Sequence, residues 1–544
     1  MKTIDAKLLK SWIHDEHEIA VLDIREHGQY GENHLFFAVS LPYSVLELRV
    51  GRLVPRKNTR IVIYADHTGE AVVKAAARAL QRLGYTHVHI LQGGIQAWQA
   101  AGYATFAGVN LPSKTFGELA EHIYQTPHIS ARQLHERIQS APASLVILDG
   151  RPIPEYRKMN IPGSICCPNG ELALRARQIA PDPSTTIIIN CAGRTRSIIG
   201  AQTLINLGIP NPIYALENGT QGWYLSGYEL EHQSNRLYPE KINPELLAEA
   251  RQSAHHLIQQ FELQSISCQQ LKIWQEETNR TTYLFDVRTA QEFEESRLSS
   301  AIRHAPGGQL IQATDEYIGV RKARIVLADF DQVRAPVIAS WLKQLGWEVY
   351  LLPETDKLAT LAVPMDEALA LVHPQTLSPQ ETINFIKQYP QASILDSRSS
   401  MQFRSVHLKQ AQWVIRPTLF KHVPLDKQTP VLLLGTGDDI TALLATDMVN
   451  AGYQNIQQTI FDPSVFEVAG LSLEKQSNNP PDAECIDFLF FVHDRHHGNK
   501  EAARKYLEWE TNLVLQIDEE ERDTFRLLSL PANSKQQTFK VTVG

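Results

Sequence analysis

The stretch Thr186-Ile187-Ile188-Ile189-Asn190-Cys191-Ala192-Gly193-Arg194-Thr195-Arg196-Ser197-Ile198-Ile199-Gly200-Ala201-Gln202-Thr203-Leu204-Ile205-Asn206-Leu207-Gly208 decides the fold. Thr186 to Ile189 is an unbroken β-branched run, the pattern of a strand buried on both faces. Beyond Ser197 the spacing changes. Ile198, Ala201 and Ile205 fall on one helical face, and Gly208 suits the residue just past a helix end. Between strand and helix lies a loop that opens on a thiol, Cys191, and closes on a guanidinium, Arg196. The rest of the chain reads as copies of this unit, copies that have lost its loop chemistry, or supports for it.

The copies number four. Each carries an apolar residue, then Asp, any residue and Arg: Leu22-Asp23-Ile24-Arg25, Leu148-Asp149-Gly150-Arg151, Phe285-Asp286-Val287-Arg288 and Leu395-Asp396-Ser397-Arg398. Each then shows a proline after a short apolar stretch (Pro42, Pro168, Pro306, Pro417) and a buried strand running into a loop. A helix follows, ending in glycine before a large apolar residue, at Gly84-Tyr85, Gly208-Ile209, Gly346-Trp347 and Gly452-Tyr453. A further strand is clear in the first three copies, and the first two continue to Gly93-Gly94 with Trp98 and to Asn218-Gly219 with Trp223. A repeat this long is a whole domain rather than a solenoid unit. Strands alternating with helices predict an α/β fold, a mainly parallel sheet flanked by helices, with ligands beyond the carboxyl ends of the strands. The marks predict domains at 1–108, 129–232, 264–353 and 376–475, a connector helix capped by Asn243 and Pro244, and a helical C-terminal tail over 482–544. Asp149 and Arg151 read as a structural pair near the loop, since buried charges are nearly always paired.

The loop chemistry favours an anion. A cysteine nucleophile must be thiolate, and a free thiol titrates near ~8.5. The helix N-terminus offers unpaired N–H groups and a favourable dipole, Arg194 and Arg196 are close by, and Gly193 lets the backbone curl so that N–H groups converge. Such a cradle suits an oxyanion: a thiosulfate-like group, a phosphate or an arsenate.

These residues resemble the rhodanese family of sulfurtransferases, as four tandem rhodanese-like domains, and most closely in the second copy. There the Leu-Asp-x-Arg motif, Ile161-Pro162-Gly163-Ser164-Ile165, the Cys191-x-x-x-x-Arg196-Ser197 loop and Asn218-Gly219 to Trp223 match in order. The resemblance implies a catalytic Cys191 that takes a sulfane sulfur as a persulfide and passes it to a thiophilic acceptor, cyanide or a thiol. It implies Ala192, Gly193, Arg194, Thr195, Arg196 and Ser197 as the substrate-binding residues; the Arg194 side chain is not fixed by the family pattern and is read as one that could steer an anionic donor such as thiosulfate. It implies no cofactor and no metal. The loop from Cys191 to Arg196 has six residues. The sulfur-transferring branch of the family has that length, whereas its phosphatase and arsenate-reductase branch carries one residue more. A non-enzymatic persulfide carrier or scaffold for a partner protein, which would be a protein sulfur acceptor, is the main alternative.

The other loops lack the thiol. In copy three Asp329 stands in register with Cys191, and in copy four Gly435 does, with no closing arginine. In copy one two ways of counting place Asp66 or His67 at that position. An inactive copy followed by an active one predicts that copies one and two pair, and that copies three and four form a second pair.

The 544 residues carry a net charge of −8 with 43% hydrophobic and 21% charged residues, as expected of several globular domains and not of a nucleic-acid or membrane-binding protein. No secretory signal and no apolar run of roughly 18 residues is visible. The five cysteines (Cys166, Cys167, Cys191, Cys268, Cys485) are odd and sparse, which predicts free thiols in a reducing cytoplasm. Cys166-Cys167 reads first as buried packing and second as a sulfur relay. His493-Asp494-Arg495-His496-His497 reads as a solvated helix start rather than a metal cluster, and Tyr506, Leu507, Trp509 and Leu513 as the docking side of a tail helix.

Overall fold

The computed structural model describes residues 1–299, 302–360, 369–437, 439–490 and 499–527. The histidine cluster after Val492 and Asp438 of the fourth loop lie outside the described residues. Four five-stranded sheets are present, all with one topology: numbered in chain order within each sheet, the hydrogen-bonded order is 1-5-4-2-3. Every pairing in them is parallel. The fourth copy also completes its sheet, with the strand Ile456–Ile460 that its sequence shows only weakly.

In the second sheet the strands are His128–Ile129, Leu145–Asp149, Ile165–Cys166, Thr186–Asn190 and Ile213–Leu216. Thr186–Asn190 runs through the middle, paired with Leu145–Asp149 on one side and Ile213–Leu216 on the other. This explains its β-branched run: Ile187, Ile188 and Ile189 are fully buried between two helical layers. Ile188 packs in one core cluster with Ile129, Leu134, Ile147, Ile161, Leu216 and Trp223. The helix that follows, Thr195–Asn206, differs from the one-faced reading. Ile198 to Leu204 are all buried, so both faces are covered. The reason is a neighbour on each side, for Trp341 of the third copy donates its indole N–H to Thr203 Oγ1 at 2.8 Å. Gly208 holds φ +70° at its end, as the sequence suggests.

The described residues gather into two compact units. One contains the first and fourth sheets together with the segment Asp315–Lys322. The other contains the second and third sheets and the tail helix. The pairing of copies one and two expected from sequence is therefore replaced by copy two with copy three, and copy one with copy four. Buried charge holds each unit. Arg334 of the third copy forks onto Glu171 of the second at 2.8 and 2.9 Å, and Arg416 of the fourth forks onto Glu47 of the first at 2.6 and 2.9 Å. The interval before the second sheet, read only as a gap from sequence, is the helix Leu111–Tyr124, which packs on Thr195–Asn206. Gly117 permits the close crossing, because a Cβ there would stand 2.7 Å from Thr195 Cγ2.

Candidate active site

The loop begins where the central strand stops. Asn190 pairs with Asp149, and Cys191 is the first residue beyond the sheet. Its backbone is tied to the Asn218-Gly219 turn: Thr220 N–H donates to Cys191 O at 2.8 Å, and Gln221 donates to Ala192 O through N–H and Nε2 at 3.2 and 3.1 Å. Asn218 and Gly219 both take positive φ, and a Cβ on Gly219 would lie 2.2 Å from Cys191 O, so the turn must approach this closely to hold the loop. The Ser197 hydroxyl donates to Cys191 Sγ at 3.0 Å, and Cys191 is 2% exposed.

Both loop arginines are engaged by carboxylates. Arg196 forks onto Glu155, 2.8 Å for each bond. Burial opposes its charge, but Glu155 and Cys191 outweigh that and move the guanidinium pKa up. Arg194 donates from Nε and Nη2 to Glu118 at 2.8 and 3.0 Å, also reaches Glu121, and approaches Asn218 Oδ1 at 3.4 Å. Its guanidinium is thus committed to protein acids, which weakens the expectation that it steers an anionic donor. Burial pushes the Glu118 carboxyl up to about 7; Arg194 pulls it down, while Glu510 and Glu121 add to the rise. The fork marks an ion pair, and the upward push records chiefly the burial of the carboxyl, with Glu510 and Glu121 adding to it.

Asp149 and Arg151 form the structural pair read from sequence. Arg151 donates from Nε and Nη2 to Asp149 at 2.8 and 2.7 Å and from Nη2 to Met159 O at 2.6 Å, while Asn190 Nδ2 donates to the same carboxylate at 2.9 Å. The same Asp–Arg fork recurs in the other three copies. It ties the end of one strand to a backbone carbonyl eight residues beyond the arginine in copies two, three and four.

The loop of the third copy shows what the cradle does with an anion in it. Asp329, at the position of Cys191, accepts from the backbone N–H groups of Gln332, Val333, Arg334 and Ala335 at 2.8, 3.1, 2.7 and 3.1 Å. The equivalent N–H groups of the second copy, those of Arg194, Thr195, Arg196 and Ser197, donate to no acceptor among the described residues. The fourth copy places Gly435 there, since Ser397 N–H meets Leu434 O as Gly150 N–H meets Asn190 O. In the first copy the sheet corrects the count. Asp23 pairs with Tyr64, so the residue in register with Cys191 is Ala65, neither Asp66 nor His67. A short 3-10 turn, His67–Gly69, shifts the helix start and misleads a count from Gly84.

Sequence reading missed several partners. Glu118 and Glu121 lie on a helix outside the repeat, whose start is marked by Pro112 in its first turn. Glu155 stands early in the helix Ile153–Lys158. The tail supplies Glu510, whose Oε1 accepts from Thr195 Oγ1 at 3.2 Å. Gly193 serves a different purpose from the expected curl: its φ is not left-handed, but a Cβ on it would meet Glu510 Oε2 at 2.8 Å. Cys166 and Cys167 are buried, and burial pushes the first thiol up to about 12 and the second well above its ordinary value. Both are fully buried and the Cys166 thiol donates to Arg151 O at 3.5 Å, which favours the packing reading over the relay. Among the described residues no group of three or more His, Cys, Asp or Glu is placed to hold a metal, and no helix is long and apolar enough to cross a membrane.

The rhodanese-like domain matches residues 5–101 and 130–226. The crystal structure of thiosulfate sulfurtransferase from Pseudomonas aeruginosa is similar along nearly the whole length: 35% identity, 98% of this chain and 100% of that one, TM-score 0.88. The chain belongs to the rhodanese-like family. A curated relative from Bacillus subtilis, named "Putative sulfur carrier protein YrkF", is 33% identical over 104 residues, 19% of this chain. The chain spans about half the length of that relative, 54% of it.

Proposed function

We propose that the protein is a sulfurtransferase with Cys191 as its catalytic thiol. The thiolate attacks the outer sulfur of a sulfane donor. With thiosulfate the S–S bond breaks, sulfite leaves with the bonding pair, and Cys191 keeps the sulfur as a persulfide. A thiolate or cyanide then attacks that outer sulfur and Cys191 departs as thiolate. The open N–H groups of Arg194, Thr195, Arg196 and Ser197 stabilise the anionic sulfur in each state, and Arg196 adds a positive charge beside it. One observation carries this reading: the second loop presents a thiol in the ring of N–H groups that the third copy closes on its own Asp329 carboxylate. The rhodanese-like family and the similarity to a thiosulfate sulfurtransferase support it.

A persulfide carrier that serves a protein partner is the second reading, favoured by the low exposure of Cys191 and by the relative named as a sulfur carrier. The test is thiocyanate formation from thiosulfate and cyanide, with intact-mass analysis of the protein after donor treatment. Wild type gains ~32 Da on Cys191 and turns over, and Cys191→Ser does neither. Activity retained in Cys191→Ser would remove the catalytic assignment. A stable adduct without turnover of any small acceptor would favour the carrier.

A further inference from the structure

The tail helix Lys500–Thr511 packs over the Cys191 loop and carries one acid toward it. Tyr506 and Leu507 bury its inner face. Lys114 stands 5.3 and 4.8 Å from the Tyr506 and Trp509 rings, and Lys500 stands 5.3 Å from the ring of Tyr224 on the helix Gly219–Leu225. These contacts fix the rotation of the helix and turn Glu510 inward. Its Oε1 accepts from Thr195 Oγ1 at 3.2 Å. Its Oε2 is buried and has no hydrogen-bond partner among the described residues, and the side of Gly193 that a Cβ would fill faces it at 2.8 Å. The residue as a whole is 3% exposed.

A buried carboxylate oxygen without a donor is costly, and a fold tolerates one mainly where something else completes it. The nearest loop cation does not complete it, because Arg194 is engaged by Glu118 and Glu121. The surroundings are acidic. Glu118, Glu121, Glu155 and Glu510 face Arg194, Arg196 and Lys114, four carboxylates against three cations, before any charge on sulfur is added. A small thiol with an ammonium group meets an acceptor in want of a donor.

We propose that Glu510 is a specificity-determining residue of the Cys191 site and selects a thiol acceptor that carries an ammonium group over one that carries a carboxylate. The inference rests on the sulfur-transfer reading and names the acceptor class for it. In the step concerned, the acceptor thiolate attacks the outer sulfur of the Cys191 persulfide. The S–S bond to Cys191 breaks, its electron pair leaves with Cys191 as thiolate, and the acceptor departs as a persulfide, so no oxidant is required. An ammonium two carbons from the attacking sulfur donates to Oε2, whereas a carboxylate at that distance is repelled by it.

The test loads the full-length protein with a sulfane donor, removes the excess, and follows discharge of the ~32 Da adduct by mass. The acceptors share one skeleton: cysteamine, 2-mercaptoethanol and 3-mercaptopropionate. Wild type is expected to discharge to cysteamine at least about tenfold faster than to 3-mercaptopropionate at equal thiolate concentration, with 2-mercaptoethanol between them. Glu510→Gln keeps the shape and removes the charge, so the ratio of the two discharge rates, read on protein already carrying the adduct, should fall to within about threefold. Glu510→Asp keeps the charge and should retain most of the preference. A wild-type ratio near one overturns the proposal, and so does a preference that survives Glu510→Gln. If no donor places an adduct on Cys191, the sulfur-transfer reading fails first and this inference with it, an outcome distinct from loading without preference.

Discussion

Gly193→Ala isolates the contact between the thiol loop and the tail. The backbone at Gly193 is outside the left-handed region, so alanine escapes the penalty that region would impose. The new Cβ would instead lie 2.8 Å from Glu510 Oε2, about 0.6 Å inside the 3.4 Å of ordinary contact (3.4 less 2.8). Its next neighbours, Gln221 Nε2 at 3.6 Å and Glu510 Cδ at 3.8 Å, are comfortable. The strain therefore falls on one carboxylate, which must withdraw and loosen its bond from Thr195. Overpacking of this kind costs about 1–3 kcal/mol. The chain has several folding units, so a single melting temperature does not report this locally. Hydrogen exchange of the amides in Lys500–Thr511 does. A loosening of 1–3 kcal/mol speeds their exchange by roughly 5- to 150-fold. In a Glu510→Ala background the clash disappears, and adding Gly193→Ala should leave tail exchange unchanged to within about twofold. If Gly193→Ala speeds tail exchange by the same factor in both backgrounds, the effect arises in the loop backbone and the contact with Glu510 is not its cause.

Two further outcomes test the frame around the site. Burial pushes the Glu26 carboxyl up to about 7 against the Ser44 hydroxyl and N–H that bond it, with Asp487 adding to the rise and Arg416 opposing it. A carboxyl raised in the folded state stabilises most below its unfolded value near 4.5, and that contribution is lost as pH rises through about 7. Glu26→Gln should therefore match wild type in urea midpoint at pH 5 and exceed it at pH 8, by order of 3 kcal/mol at most, and equal midpoints at both pH values would refute this. Arg334→Met takes the cation from Glu292 and Asp331 and leaves Glu171 only Arg175, whose Nε is 3.4 Å away. It should destabilise the unit holding the second and third sheets by about 3–5 kcal/mol in denaturant unfolding, with Arg334→Lys recovering only part because lysine cannot fork onto Glu171. A cost below about 1 kcal/mol would show that the buried network is dispensable.

The parts of the fold that were legible in the sequence are those written in local pattern. A β-branched run between two turn signals is a central strand wherever it occurs, and Gly208 ends its helix for a conformational reason visible in one residue. The Asp–Arg pair was legible because its two members are two residues apart and bond each other. The residues around the thiol were not, because they come from far along the chain: Glu155 is 41 positions from Arg196, Glu118 is 76 from Arg194, and Glu510 is 315 from Thr195. A repeat-based reading discounts segments that do not repeat, and both Leu111–Tyr124 and Lys500–Thr511 stand outside the repeat. Gly193 shows the same limit from the other side. Its identity was noticed and given a backbone reason, whereas the actual constraint is a neighbour that local sequence cannot show. The pairing of copies failed likewise, since Arg334 and Arg416 reach acids in copies outside the expected pairs.

The comparison of Asp329 with Cys191 explains why the loop architecture can outlast its chemistry. Turning a strand into a helix through this tight loop leaves consecutive N–H groups aimed at one point, and buried donors must be satisfied. In the third copy the loop solves the problem internally. Asp329 takes four of those donors, and although burial raises its carboxyl, the N–H groups and Arg334 pull it back. The solution is closed, for the carboxylate occupies the place where an anion would sit. A cysteine is the opposite solution. Its sulfur is a weak acceptor as a thiol and a strong one as thiolate or persulfide, so the same N–H groups reward the charged forms most. On the proposed reading, one substitution at one register position separates a loop that is complete by itself from a loop that is complete only when it carries anionic sulfur. The acids that clamp Arg194 and Arg196 then have a consistent purpose. By holding both guanidiniums in fixed forks they keep positive charge beside the loop without letting either side chain fold in and fill it, which would recreate in the second copy the closed state that Asp329 imposes on the third.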